Sequence, residues 1–424
     1  YPTVEEVPAV TAACLLTSRD VFDQVKGFDE KYIFGQEDID FSLKVLETGK
    51  KIYINRKSLL LHREFSSQIL IKRRTRKLWR EHNYTYFNEK WNESLKRNIW
   101  KEKLSGSLFW GENRLHIAFM VTQNTPDTTA GDLFSAQGLG NALKELFHYE
   151  ISYIPRRPIY EWQTIPHSSD IVISMRHDVD IRQLNIGKST LKVAWIRGYI
   201  NEWLNKPWIH EYDGVITSSN IGMREVQKIV GKGKCWGVVP LGVTEQFEKY
   251  GKGENIIARE IDVSFIGNIF EVPRDIVKNL DLEAGFNFHH YGVLQSEKNH
   301  PWTKVNKGTI NYSEIPNIYG KSKIVIEDTA PFNQGTVNLR IYEAAACGAL
   351  VISNMNLALK EIFGDHVVFY KDRSDLTNKI RYYLEHDEER ALHANLLREI
   401  VLKNHTFKHR AKEFKTILEK VLIK

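Results

Sequence analysis

This 424-residue sequence predicts an α/β protein with two parallel-sheet lobes, preceded by a shorter α/β segment and a basic helical connector. Three observations lead there. From Arg114 onward, short apolar runs bounded by turn residues alternate with helix-length segments, the pattern of βαβ units and parallel sheets. That alternation is interrupted by a charged stretch, Lys249 to Arg259, which divides it in two. Ahead of it, Ile71 to Leu104 is dense in basic and aromatic residues and unlike either neighbour. The length exceeds one ordinary domain.

Composition narrows the class. Apolar residues make up 42% and charged residues 26%, the mix of a soluble globular chain. The 59 basic and 53 acidic residues leave a net charge of +6, too little to imply nucleic acid. Cys14, Cys235 and Cys347 lie far apart, forming neither a disulfide framework nor a zinc site. With no 18-residue apolar run and no signal peptide, a cytoplasmic location is expected. Asn83 and Asn92 stand in glycosylation sequons, which carry no meaning in that compartment. The chain begins at Tyr1 in mid-pattern and is expected to be a piece of a longer protein.

In the first 70 residues, Val7 to Leu16 is a β-prone run. Thr17-Ser18-Arg19-Asp20 caps a short helix that ends at Gly27. Phe41 to Leu46 reads as helix with Gly49 as its C-terminal cap. Ile52 to Ile54 and Ser58 to Leu61 read as short strands, the second ending at His62. Three acids, Glu37, Asp38 and Asp40, gather at the start of a helix, where the dipole favours their ionised form. A carboxylate so placed can take a proton from an acceptor hydroxyl.

The string GFDEKY…FGQEDIDFSLKVLETGKKIYI…LLLH resembles the acceptor-side part of family 2 glycosyltransferases, which have the GT-A fold. By that resemblance Asp38 matches the catalytic base and His62 a histidine that completes a divalent metal site, for Mg or Mn. The half of that fold with the Asp-x-Asp metal motif does not precede these residues. Asp38 and His62 are therefore expected as remnants of a site that these residues alone do not assemble.

The connector carries Arg73, Arg74, Arg76, Lys77 and Arg80, with Trp79, Tyr84, Tyr86, Phe87, Trp91 and Trp100 among them. Three readings stand. The aromatics pack on a neighbouring segment, the favoured one, or the basic face lies peripherally on the inner face of an anionic membrane, or it holds polyanionic glycan-lipid acceptors.

In the first lobe, apolar strands are expected at Ile117 to Thr122, Ile151 to Ile154, Ile171 to Ser174, Val193 to Ile196 and Val215 to Thr217, with a helix from Gly131 to Leu146. His177 and Asp178 follow the strand ending at Ser174, where open parallel sheets carry functional groups, and either is a candidate base. Arg197 follows another strand. In the second lobe the strand Asp262 to Asn268 ends in Gly-Asn, and Arg274 opens the next helix, a pattern suited to phosphate. Strands at His289 to Val293, Ile324 to Glu327 and Val367 to Tyr370 and helices at Ser374 to Glu385 and Glu388 to Val401 continue the alternation.

Asn338 to Ser353, NLRIYEAAACGALVIS, concentrates the chemistry. Arg340 offers a charge-assisted hydrogen bond to phosphate, and Glu343 accepts from sugar hydroxyls. The small residues Ala344 to Gly348 allow a helix to pack closely before the strand that follows. This stretch resembles the donor-site signature of GT-B glycosyltransferases, and more narrowly the CgeB-like group. Val238-Val239-Pro240-Leu241-Gly242-Val243 and Phe247 resemble the hinge side of that fold, and His405-Thr406-Phe407 with Arg410 its closing element. The Glu-x7-Glu spacing of many retaining members is not kept, since Gly335 stands where the first glutamate would be. Thr329 to Gly335 is then the loop beside the transferred sugar.

The resemblance implies a GT-A part at 1–70, a linker at 71–112, an acceptor lobe at 113–248, a nucleotide-sugar lobe at 249–404 and a helix at 405–424 that returns to the first lobe. It implies donor contacts from Asn268, Arg274, Gly335, Asn338, Arg340 and Glu343. It also implies transfer to a glycan or lipid-linked glycan in bacterial surface polysaccharide synthesis, with no cofactor for the GT-B part and no nucleic acid. The whole protein would be bifunctional. Two other classes stay open: a nucleotide-sugar epimerase of the same fold and a non-catalytic glycan-binding scaffold.

Overall fold

The computed structural model describes residues 3–33, 35–61, 71–106, 114–125, 128–156, 165–250, 258–270, 274–295, 300–330, 333 and 335–423. The chain divides into two compact units, Tyr1–Ile99 and Trp100–Lys424.

The first unit pairs β1 (Val4–Val7) antiparallel with β2 (Ile52–Asn55). Between them run α1 (Arg19–Gln24) and α2 (Glu37–Glu47). Ser18 caps α1 by accepting from the Val21 amide, the start its sequence predicts. Gly49, with φ +79°, follows the end of α2. Two expectations are corrected. The first strand lies at Val4–Val7, and Ala12–Cys14 form a 3-10 turn instead. Residues 58–61 form no strand: Leu59, Leu60 and Leu61 are exposed, so no sheet face is there for them to cover. α3 (Arg73–Ser105) is a single 33-residue helix that runs past the boundary between the units. Asn83, Tyr86, Lys90 and Trp91 lie at helical spacing, and all four side chains turn to the segment around residues 29–40. Trp91 Nε1 donates to the fully buried Asp40 at 2.7 Å, and Lys90 pairs with the same carboxylate. Packing thus claims this stripe, while Arg73, Arg74, Lys77 and Arg80 stay exposed. Asn83 is buried, so its sequon is closed.

The second unit holds two parallel sheets. The first has six strands: β3 (His116–Val121), β4 (Glu150–Pro155), β5 (Ile171–Ser174), β6 (Leu191–Ile196), β7 (Gly214–Thr217) and β8 (Cys235–Val238). Their order is β4-β3-β5-β6-β7-β8. α4 (Gly131–Phe147) follows β3, α5 (Ile200–Leu204) follows β6, α6 (Asn220–Val230) follows β7, and α7 (Glu245–Glu248) follows β8. β8 had no separate expectation, because its Cys-Trp-Gly-Val run is short and half-buried.

The second sheet comprises β9 (Ile261–Ile266), β10 (Phe288–Tyr291), β11 (Ser322–Glu327), β12 (Leu350–Asn354) and β13 (Val368–Tyr370), ordered β10-β9-β11-β12-β13. Its helices are α8 (Asp275–Asn279), α9 (Ile315–Lys321), α10 (Leu339–Ala346), α11 (Leu357–Phe363), α12 (Arg373–Glu385) and α13 (Asp387–Asn404). The central strands of both sheets are buried over nearly their whole length because helices cover both faces. In each sheet the chain reverses direction of winding beside its first strand. This leaves a crevice at the carboxyl ends of β3 and β5 in one sheet, and of β9 and β11 in the other.

The last helix, α14 (Phe407–Leu422), leaves the second sheet and packs on α4 of the first. Thr406 is bridged to Val243, and the Phe407 amide donates to the Val243 carbonyl at 3.0 Å. Phe407 sits where Gly138 of α4 leaves room for its ring, and a Cβ there would overlap the ring.

Candidate functional site

A cleft of 330 Å³ opens between the two lobes of the second unit, within the size range of small-molecule sites. Its floor is the crevice between β9 and β11. Arg340, in the first turn of α10, spans that crevice. Its Nε donates to Glu327 at the end of β11 at 2.7 Å, and its Nη1 to the Ile266 carbonyl at the end of β9 at 2.7 Å. Its guanidinium lies 4.9 Å from the centre of the Phe265 ring. Gly267 is what admits it: a Cβ at that position would overlap the guanidinium. Burial works against the cation, but Glu327 more than offsets it and raises the Arg340 pKa. Among the described residues Nη2 has no hydrogen-bond partner.

Arg274, the residue before α8, approaches the same Phe265 ring at 5.5 Å. It donates to Asp328 Oδ2 at 2.7 Å and to the Asp328 carbonyl at 3.0 Å. Burial raises the Asp328 pKa, and Arg274 only partly opposes that. Two cations are therefore held at the cleft floor by two buried acids. Asn338, next to α10, donates to Glu327 and accepts from Asn333 at 3.2 Å, so its side chain does not cap the helix. The first amides of α10 have no side-chain cap, leaving that end open to an anion.

Glu343 lies one turn further along α10 and also lines the cleft. Burial raises its pKa to about 7, against the hydrogen bond from Tyr312, which favours ionisation. A carboxyl with a raised pKa stabilises the fold most where the unfolded chain would already be protonated, below about pH 4.5, and that stability is lost as pH rises to about 7. The ligand-free native protein should therefore lose thermal stability between pH 5 and 7.5 more steeply than Glu343→Gln. Parallel melting curves for the two proteins would rule this out.

Other predicted donor residues have different fates. Asn268 lines the cleft, but its Oδ1 accepts from the Val293 amide at 2.9 Å and its Nδ2 donates to Thr129 of the facing lobe at 3.2 Å. Gly335, with φ +83°, does not line the cleft. Its carbonyl accepts from Ser219 at the start of α6, so this backbone closes the seam between the lobes instead of reaching a donor.

On the first lobe, His177 stacks on Tyr199 at 5.2 Å, and Tyr199 lines the cleft. Burial lowers the His177 pKa, which keeps the ring neutral near pH 7. Burial would raise Asp178, but hydrogen bonds and charge from Arg176, with Arg156 beyond, hold it below the ordinary carboxylate value. Arg176 grips both Asp178 oxygens at 2.8 Å, and Arg156 adds a third bond at 2.7 Å. Asp178 is thus tied up in ion pairs that oppose its protonation. Arg197 donates weakly to Ser135 and to the Met175 carbonyl, both at 3.3 Å.

In the first unit, Asp38 is partly exposed and accepts from the Ala12 amide at 3.1 Å, tying the 3-10 turn to α2. The buried acid is Asp40. His62 lies outside the described residues. No group of three or more His, Cys, Asp or Glu among the described residues is placed to hold a metal ion. No helix among them is long and apolar enough to cross a membrane.

Sequence reading missed Glu327 and Asp328, which orient the two arginines, and Tyr312, which holds Glu343. The acids close an apolar strand in Ile324-Val325-Ile326-Glu327-Asp328, and that position at a strand end was the available signal. Tyr312 had none, since it opens a three-residue 3-10 turn and meets Glu343 only through the fold.

Residues 271–416 match a family model described as glycosyl transferase-like. No curated protein matches the chain. Among solved structures, sucrose-phosphate synthase from Thermosynechococcus elongatus is similar at 13% identity and TM-score 0.55, covering 73% of this chain and 99% of that one. Anabaena HepE in complex with UDP-glucose is similar at 13% identity and TM-score 0.53, covering 72% of this chain and 100% of that one. A glycosyltransferase from Rickettsia africae is similar at 14% identity and TM-score 0.51, covering 73% and 99%. The fold is GT-B, and the family match together with that fold supports a glycosyltransferase.

Proposed function

We propose that the cleft binds a nucleotide-sugar and that the second unit moves the sugar to an acceptor held by the first lobe. The observation that carries this reading is the convergence of Arg340 and Arg274 on Phe265 in the crevice between β9 and β11, with Glu343 further along α10. Diphosphate leaving from the sugar gains negative charge in the transition state. Two guanidiniums already fixed by Glu327 and Asp328 need little reorganisation to meet it. Arg340 Nη2 and the uncapped end of α10 are the groups left for phosphate. Ionised Glu343 accepts from ribose hydroxyls. UDP-glucose in the HepE structure supports the donor class.

On the acceptor side we favour His177 as the base, because it is neutral and adjoins the cleft-lining Tyr199, whereas Asp178 is engaged by two arginines. We further read the chain as CgeB-like, with domains at 113–248, 249–404 and 405–424. On this reading residues 1–70 are the C-terminal part of a GT-A domain with Asp38 and His62 in its site. The whole protein is then bifunctional, requires a divalent metal only for that GT-A domain, and works in the cytoplasm on a glycan or lipid-linked glycan of a bacterial surface polysaccharide. The exposed cations of α3 suit peripheral attachment to anionic lipid, which co-sedimentation with anionic vesicles checks.

Calorimetry with UDP, GDP and dTDP tests the central claim. At least one should bind, and the double variant Arg340→Ala/Glu343→Ala should lose at least tenfold in affinity. Unchanged affinity in the double variant would refute the assignment. Incubation with nucleotide-sugar alone, giving an isomerised sugar, would favour an epimerase; glycan binding with no nucleotide release would favour a scaffold.

A further inference from the structure

We propose that Tyr312 is a positioning residue that makes the grip of Glu343 on the donor ribose depend on closure of the two lobes; this rests on reading the cleft as a nucleotide-sugar site. Tyr312 belongs to the second lobe, and its hydroxyl donates to Glu343 Oε1 at 2.5 Å. Its ring lies flat against Phe134 of α4 in the first lobe, with centroids 3.8 Å apart and planes 5° from parallel. Phe247, beside the hinge, meets the same ring edge-on at 5.6 Å. One residue therefore touches the ribose-binding carboxylate through its hydroxyl and the opposite lobe through its ring.

The space around the pair supports a contact that can be made and broken. Phe134 and Tyr312 both line the donor cleft, and both also line a second cavity of 300 Å³ bounded by Gln137, Asn141, Thr244 and Phe407. The stacked pair stands between two open spaces, and both rings are only half-buried, at the margin of the core. Glu343 needs the hydroxyl because it is buried, and Tyr312 is its hydrogen-bond donor among the described residues. With Oε1 held, Oε2 is left to accept from the ribose. A buried acceptor built for a hydroxyl discriminates against a ligand lacking that hydroxyl, because the carboxylate is then left short of a donor. Separated lobes release the Tyr312 ring and let the carboxylate turn.

The test compares UDP with 2′-deoxy-UDP by calorimetry on the full chain. The native protein should prefer UDP by about tenfold or more. Tyr312→Phe keeps the stack and removes the hydroxyl. It should bring the preference close to unity while leaving 2′-deoxy-UDP affinity within about twofold. Phe134→Ala keeps the hydroxyl and removes the stack from the other lobe, and it should also shrink the preference. A native-like preference in Tyr312→Phe overturns the positioning role. A native-like preference in Phe134→Ala overturns its link to closure. If the native protein binds no nucleoside diphosphate, the reading of the cleft fails first and this inference with it; if UDP binds and neither ratio moves, only this inference fails.

Discussion

Arg340→Ala should abolish measurable nucleotide binding and also destabilise the protein by about 3 kcal/mol. Both effects come from one geometry. Arg340 is the cation between the ends of β9 and β11, bonded to Glu327 and to the Ile266 carbonyl. Removing it leaves Glu327, 1% exposed, as a buried charge whose remaining donor is Asn338. Loss of one member of a buried pair costs far more than the pair contributed, because the survivor keeps its desolvation penalty. The two effects separate in Arg340→Ala/Glu327→Gln. Neutralising the survivor should restore a large part of the stability in urea or thermal unfolding, while nucleotide binding stays absent. A double variant that regains binding would show that the guanidinium is structural only.

Gly138→Ala should destabilise the protein by about 1–3 kcal/mol, and two opposing effects decide the sign. Alanine in mid-helix is favoured over glycine by about 1 kcal/mol. Against that, its methyl would overlap the ring of Phe407, which is 2% exposed and pinned through the Thr406–Val243 bridge. The ring cannot withdraw without lifting the start of α14 from α4. Overpacking should win, since the clash is with a rigid aromatic and not with the end of a flexible chain. Phe407→Leu in the same chain should recover part of the loss, and chemical denaturation of the three proteins checks the order. A Gly138→Ala protein as stable as the native one would mean that α14 is held elsewhere.

The contacts behind these two predictions show where sequence reading stopped. The βαβ alternation was legible because central parallel strands are apolar on both faces, and Ile171–Ser174 and Gly131–Phe147 emerge almost as their patterns predict. The grouping of Arg340 and Glu343 on α10 was legible because three residues nearly complete one helical turn. The Ser58 to Leu61 strand was misjudged because a run of leucines looks the same whether or not a sheet is there to receive it. In the basic connector, aromatic and charged residues alternate, and only the fold separates the stripe of Asn83, Tyr86, Lys90 and Trp91 from the exposed cations.

By itself the sequence determined most strands and helices of the two lobes, that two sheets follow each other, and which cation and carboxylate share α10. These depend on periodicity and on neighbours a few residues apart. Only the tertiary structure decided that Glu327 and Asp328 hold the arginines, that Tyr312 serves Glu343, and that Gly335 belongs to the seam. Those contacts join residues from 13 to 116 positions apart. Nothing in a local pattern carries such distances; they exist because parallel strands bring their carboxyl ends to one edge, where side chains from separate βα turns meet.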